Sequence, residues 1–205
     1  MQDKIASLKF LDPAAGSGNF LTETYISLRR LENEILKELL GNQIIMGLTH
    51  NPIKVSISQF YGIEINDFAV SVARTALWIA ESQMMKETED IVNMSLNFLP
   101  LKSYPNIVEG NALTMDWDEV ISKNELNYIM GNPPFLGARM MNSKQKKDMN
   151  IVFGKLKGLG NLDYVSAWYK KACDYFINTE IECAFVSTNS ISQGEQVAIL
   201  WEPLF

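Results

Sequence analysis

Short apolar runs that stop at glycine, proline or acidic residues alternate along this chain with longer stretches whose apolar positions recur at helical spacing. Leu8, Phe10 and Leu11 form the first run, which ends at Asp12 and enters a turn containing Pro13, Gly16 and Gly18, as a strand does. From Phe20 to Leu40 the positions Phe20, Leu21, Tyr25, Leu28, Leu31, Ile35, Leu36 and Leu39 predict a helix, with Gly41 as its C-terminal stop. An irregular stretch from Gly47 to Pro52 precedes a second expected strand that takes in Val55, Ile57 and Phe60 to Ile65. Asn66 or Asp67 then caps a second helix, whose buried face is expected at Phe68, Val72, Leu77 and Ala80. Further short buried strands are expected at Ile107–Glu109, Tyr128–Met130 and Cys183–Val186, each running into a polar or glycine turn. Between the last two, Leu162 to Ile177 reads as a helix with Leu162, Val165, Trp168, Tyr169, Ala172 and Phe176 on its apolar face. Alternating strands and helices define an α/β fold with a doubly wound, mainly parallel sheet. Ligands of such sheets bind beyond the carboxyl ends of the strands, where every one of these turns lies.

Composition narrows the picture. The 205 residues are 47% hydrophobic and 20% charged, which suits one globular domain over residues 1–205, and there is no internal repeat or flexible linker to divide it. No run approaches the roughly 20 uncharged apolar residues of a membrane helix, and the N-terminal MQDKIASLKF lacks an apolar signal core, so a soluble, cytoplasmic protein is expected. Cys173, Cys183 and His50 are too few for a Cys/His zinc site or a disulfide framework, and no metal is expected. The net charge of -6 argues against nucleic-acid binding through the overall field. The charge is uneven, however: Arg139 to Lys157 carries a local +5 and the remainder -11. Such a run is either a solvated loop face or a local nucleic-acid face, with Arg139, Lys144, Lys146 and Lys147 as the candidate phosphate contacts.

The turns carry the chemistry. Gly16 and Gly18 let a ligand approach the backbone closely, but the segment Asp12 to Phe20 does not spell a dinucleotide fingerprint, and no phosphate-binding lysine follows. Asp12 suits a ligand with an ammonium group, such as the methionine part of S-adenosylmethionine. Glu64, at the end of the second strand, is placed to accept from both hydroxyls of a ribose, although taken by itself it is equally an exposed acid opening a helix. Gly110-Asn111-Ala112-Leu113 offers an amide to an adenine edge and an apolar wall. In Asn132-Pro133-Pro134-Phe135 two prolines remove backbone donors, leaving acceptors at the Asn132 side chain and the Pro133 carbonyl. Those acceptors suit an aromatic amino group: taking its two protons frees the nitrogen lone pair for a methyl donor, while Phe135 offers a ring for base stacking.

In this order the segments DPAAGSGNF, GIEIN, EGNAL and GNPPF resemble the signature turns of class I S-adenosylmethionine-dependent adenine-N6 DNA methyltransferases. Gly160-Asn161-Leu162-Asp163-Tyr164-Val165 and the run from Phe185 to Gly194 resemble more narrowly the MmeI-like methyltransferase part of type IIL restriction-modification enzymes. The resemblance implies a Rossmann-like sheet and binding of S-adenosyl-L-methionine by Asp12, Ala14, Gly16, Gly18, Phe20, Glu64, Ile65, Asn111, Ala112 and Leu113. It implies that Asn132, Pro133, Pro134 and Phe135 hold an adenine flipped out of double-stranded DNA. Asn111 stands where many relatives have aspartate. Against the family pattern, only eleven residues precede Asp12 and two further strands and a target-recognition domain are missing, so a fragment truncated at both ends is expected, with the remaining domains as partners. Methylation of RNA or of a protein glutamine amide, and a non-catalytic core that binds the donor or DNA, are the alternatives.

Overall fold

A computed structural model describes residues 1–40, 52–93, 95–96 and 106–204; the expected helix stop at Gly41 and the stretch from Gly47 to Asn51 lie outside the described residues. Five strands, β1 (Phe10–Asp12), β2 (Phe60–Glu64), β3 (Ile107–Glu109), β4 (Tyr128–Gly131) and β5 (Glu182–Phe185), form one sheet in the order β3-β2-β1-β4-β5. All four pairings are parallel. The helices are α1 (Gln2–Ser7), α2 (Asn19–Leu40), α3 (Asp67–Val92), α4 (Ser143–Phe153), α5 (Ser166–Tyr175) and α6 (Gln196–Trp201).

Alternation along the strands explains the double winding. Phe10, Phe60, Ile107 and Tyr128 point to one face, where Leu21 and Tyr25 of α2 and Val70, Ala73 and Leu77 of α3 cover them. Leu11, Ile63, Val108 and Ile129 point to the other face, against Trp117, Ile121 and Ala172 of α5. From β1 the chain builds outward to β2 and β3, then returns to lay β4 on the opposite side. The order reverses between β1 and β4, so their carboxyl ends open a crevice, the usual ligand position in open α/β sheets. Among the described residues no helix is long and apolar enough to cross a membrane.

Several expected elements shift. The second strand begins only at Phe60, because Ile57–Gln59 is a 3-10 turn whose capping box pairs Ser56 with Gln59; Val55 and Ile57 are buried before the strand starts, and Ile65 lies beyond its end. Helix α3 turns Val70, Ala73, Leu77, Ala80 and Met84 inward, and Phe68 is 75% exposed, so it is not on the buried face. Leu162 precedes a shorter α5 and is buried after the 3-10 turn Leu159–Asn161. Strand β5 is only half covered, with Glu182 and Ala184 exposed, since it lies at the sheet edge. The basic segment is not a loop: its central part is α4, opened by a reciprocal capping box between Asn142 and Gln145.

Candidate active site

The first glycine turn is tied to the neighbouring strand ends by backbone and carboxylate. Ala15 N–H donates to the Ile63 carbonyl at 3.0 Å, and Gly16 N–H donates to Glu64 Oε2 at 2.9 Å. Glu64 Oε1 accepts from Asn66 N–H at 3.0 Å, and the Glu64 carbonyl accepts from Gly110 N–H at 2.8 Å. Glu64 therefore joins three turns. Gly16 and Gly18 have φ of 54° and 81°, in the region that disfavours a side chain. A Cβ on Gly18 would also lie 2.9 Å from the Ala73 Cβ, so glycine here lets α3 approach the turn.

Asp12 is 1% exposed and accepts from Ala14 N–H at 2.9 Å. Burial pushes its carboxyl from 3.8 up to about 7; the Ala14 hydrogen bond opposes this and the nearby Glu64 charge adds to it. The neighbouring strand makes room for Asp12 by carrying glycine: a Cβ on Gly131 would fall 2.4 Å from Asp12 Oδ1. The ends of β1 and β4 thus meet at side-chain contact distance across the switch point.

Beyond Gly131 the Asn132-Pro133-Pro134-Phe135 turn has pinned flanks and free acceptors. Val186 N–H donates to the Gly131 carbonyl at 2.9 Å, Tyr164 N–H to the Leu136 carbonyl at 2.8 Å, and Ala138 N–H to Asp163 Oδ1 at 3.2 Å. Ser190 Oγ donates to the other Asp163 oxygen at 2.7 Å. These bonds give the Gly160–Val165 and Phe185–Gly194 segments their role as a brace behind the turn. Between the pins, the Asn132 side chain and the Pro133 carbonyl have no hydrogen-bond partner among the described residues. Pro133 is buried, and Phe135 is 45% exposed.

A cleft of about 450 Å³ collects Ala14, Glu64, Ile65, Asn111, Ala112, Asn132 and Pro134 from the expected site. Asp12, Gly16 and Gly18 are outside its lining. Leu113 is 1% exposed, packed with Met149 and Trp168 in the core, so it backs the wall and does not form it. Phe20 and Phe135 stand outside the cleft lining. Asn111 Oδ1 already accepts from Leu113 N–H at 3.0 Å, which holds its turn.

The cleft also receives Asn142, Gln145 and Asp148 from α4 and its cap, together with Tyr164 and Trp168, none of them a site candidate from the sequence, and Lys144, expected as a phosphate contact. Trp168 Nε1–H donates to the Pro13 carbonyl at 3.0 Å, and Tyr164 packs edge-on against Trp168 at 5.2 Å between ring centroids. The signal for α4 was present, since Asn142-Ser143-Lys144-Gln145 is a capping-box sequence. The four basic candidates separate in space. Lys144 lines the cleft, Arg139 and Lys146 line a second groove with Met149, Asn150 and Gly160, and Lys147 is exposed.

Open parallel sheets with a nucleoside-sized cleft at the switch point are built as Rossmann-like methyltransferases are. The chain belongs to the family of MmeI DNA-methyltransferase domains, whose model matches residues 1–205. It is 47% identical over 208 residues to DNA methyltransferase A of Bacillus subtilis (strain 168), covering 98% of this chain and 23% of that protein. A putative type II restriction enzyme and methyltransferase of Methanocaldococcus jannaschii is 29% identical over 132 residues, 63% of this chain and 10% of that protein. Among solved structures, the type IIL restriction-modification enzyme MmeI in complex with DNA superposes with a TM-score of 0.93 at 45% identity, over 99% of this chain and 27% of that one. A nuclease-deletion mutant of the type ISP enzyme LlaGI, bound to a DNA substrate mimic, shares the fold at a TM-score of 0.58 and 16% identity, over 96% of this chain and 17% of that one. This chain therefore spans about a quarter of the length of its nearer relatives.

Proposed function

We propose that this domain transfers a methyl group from S-adenosyl-L-methionine to the N6 amino group of an adenine flipped out of double-stranded DNA, as the modification part of a cytoplasmic restriction-modification enzyme. The observation that carries the proposal is the Asn132 turn: acceptors without partners, on a loop pinned at both flanks, opening into the same cleft as Glu64 and Asn111. The cleft suits the donor. Each Glu64 oxygen holds one backbone N–H and keeps a lone pair for a ribose hydroxyl, and Ile63, Ile65 and Ala112 give apolar walls for a purine. The carboxyl groups of Glu64 and Asp148 in the lining suit a ligand that carries a cationic group. When bound, S-adenosylmethionine supplies an activated methyl group.

The protein's part is to orient and to accept. An exocyclic amine is a poor nucleophile because its lone pair is delocalised into the ring. Asn132 Oδ1 and the Pro133 carbonyl accept hydrogen bonds from its two N–H groups, which localises the lone pair; once the bound base displaces water from the turn, such fixed dipoles act strongly. Phe135 stacks on the flipped base, worth about 1 to 3 kcal/mol. Donor binding and base binding thus fall to different turns. In the full-length protein, Asn132→Ala should abolish DNA methylation and Phe135→Ala should lower it by about ten- to a hundredfold, both with S-adenosylmethionine affinity retained, and Asn132→Asp, which keeps an acceptor, should be milder. Methylation assays beside calorimetry check this: loss of donor binding in Asn132→Ala would refute the division of labour.

A further inference from the structure

Asp148 is the acid of the basic segment, and it is the charged residue of that segment turned away from solvent. On α4 it is 5% exposed, surrounded along the chain by Lys144, Lys146 and Lys147, yet it forms no ion pair among the described residues. Its Oδ2 accepts from the Tyr164 hydroxyl at 2.8 Å. Its Oδ1 has no hydrogen bond among the described residues, and it is not sealed off as a buried, unsatisfied atom. Asp148 lines the same cleft as Glu64, Asn111 and Asn132. A carboxylate so deeply placed, with one oxygen clamped and the other open to a ligand cleft, presents a fixed acceptor to whatever fills that cleft.

The surroundings hold the carboxylate in that pose. Burial, reinforced by the Asp148 hydrogen bond and charge, pushes the Tyr164 phenol well above its ordinary value, so it stays a donor at all physiological pH. Tyr164 is fixed in turn by the edge-on contact with Trp168, which is anchored to the Pro13 carbonyl. On the opposite wall the Asn111 oxygen is committed to Leu113 N–H, and both Glu64 oxygens hold backbone N–H groups. Asp148 Oδ1 is thus a cleft carboxylate oxygen with its acceptor capacity unspent.

We propose that Asp148 is a donor-binding residue, its free oxygen accepting an N–H of the bound nucleoside methyl donor, and that Tyr164 positions it. The proposal rests on the reading of the cleft as the S-adenosylmethionine site. Two groups of that ligand have the required chemistry, the exocyclic amine of its purine and the ammonium of its amino-acid part.

The test is calorimetry on the full-length protein with S-adenosylhomocysteine, with S-inosylhomocysteine, which lacks the purine amine, and with 5′-methylthioadenosine, which lacks the ammonium. Asp148→Asn keeps the size and one oxygen for Tyr164, and should weaken S-adenosylhomocysteine binding about tenfold or more, the worth of a charge-assisted hydrogen bond. That penalty should vanish with one of the trimmed ligands, and which one identifies the partner group. Tyr164→Phe, which unclamps the carboxylate and leaves it in place, should show the same ligand pattern at smaller amplitude and serves if Asp148→Asn fails to fold. A penalty equal for all three ligands, or no penalty, overturns the role of Asp148 and leaves the cleft assignment standing. Failure of the unmodified protein to bind any of the three overturns both.

Discussion

At the scale of single residues, Asp12 shows how a site can be tuned by what the next strand lacks. Its carboxyl is enclosed because Gly131 has no side chain to displace it, and enclosure holds its pKa at about 7. An unfolded chain titrates Asp12 near 3.8, so folding takes up a proton at this residue between pH 4 and pH 7. Its contribution is fully favourable below the unfolded value and is lost as the pH rises through the folded one. Denaturation of the ligand-free protein should therefore show the wild type losing stability relative to Asp12→Asn across that window, on the order of 4 kcal/mol at full effect. A difference independent of pH would mean that Asp12 titrates normally in the fold.

At the scale of elements, α2 and α3 are joined by a polar core inside an apolar interface. Arg29 pairs with Glu32 one turn on, both 0% exposed, and Arg29 also donates to Thr88 Oγ1 of α3 at 2.6 Å. Thr88 in turn donates to Asn33 at 2.7 Å. Glu32 Oε1 accepts from Gln2 of α1 at 2.7 Å and from Lys54 N–H at 2.7 Å, so one carboxylate ties α1 and the segment before β2 onto α2. Replacing one partner of a buried pair strands the other charge and costs about 3 to 5 kcal/mol. Glu32→Gln should lower unfolding free energy by about 3 kcal/mol, read by chemical denaturation, and loosen the N-terminal helix in hydrogen exchange. A loss below about 1 kcal/mol would show that this cluster contributes no more than a surface pair.

At the scale of the molecule, charge is arranged against the net sign. Residues 139–157 carry +5 against -11 elsewhere, and since Asp148 is withdrawn into the cleft, the exposed face of α4 is more basic still. That face adjoins the Asn132 turn through Met141 and the 3-10 turn Ala138–Met140. Each lysine that neutralises a phosphate contributes about 0.9 to the slope of log K against log salt. Lys144, Lys146 and Lys147 changed together to alanine in the full-length protein should weaken matched and mismatched DNA alike and flatten the salt dependence, with sequence preference kept. Filter binding or fluorescence anisotropy across a salt series reads this out, and an unaltered slope would leave α4 as a solvated helix face.

The sequence by itself determined the strand-end turns, their order and the parallel α/β class. Those features are local: short apolar runs mark β1 to β4, helical spacing marks α2 and α3, and glycine, proline and an amide at a strand end declare a turn whatever packs around it. What only the tertiary structure decided is which distant parts meet. The reversal of strand order puts Asp12 against Gly131 and opens the cleft beyond their strand ends, and that depends on strand pairing rather than on either segment. Likewise Phe68 has the right residue type for a core but falls off the covered face of α3, while Arg29, Glu32 and Asp148 have the wrong type and are buried. Periodicity tells which face of a helix is apolar; whether a charge on it can be enclosed is settled by partners 59 and 16 residues away, Thr88 for Arg29 and Tyr164 for Asp148.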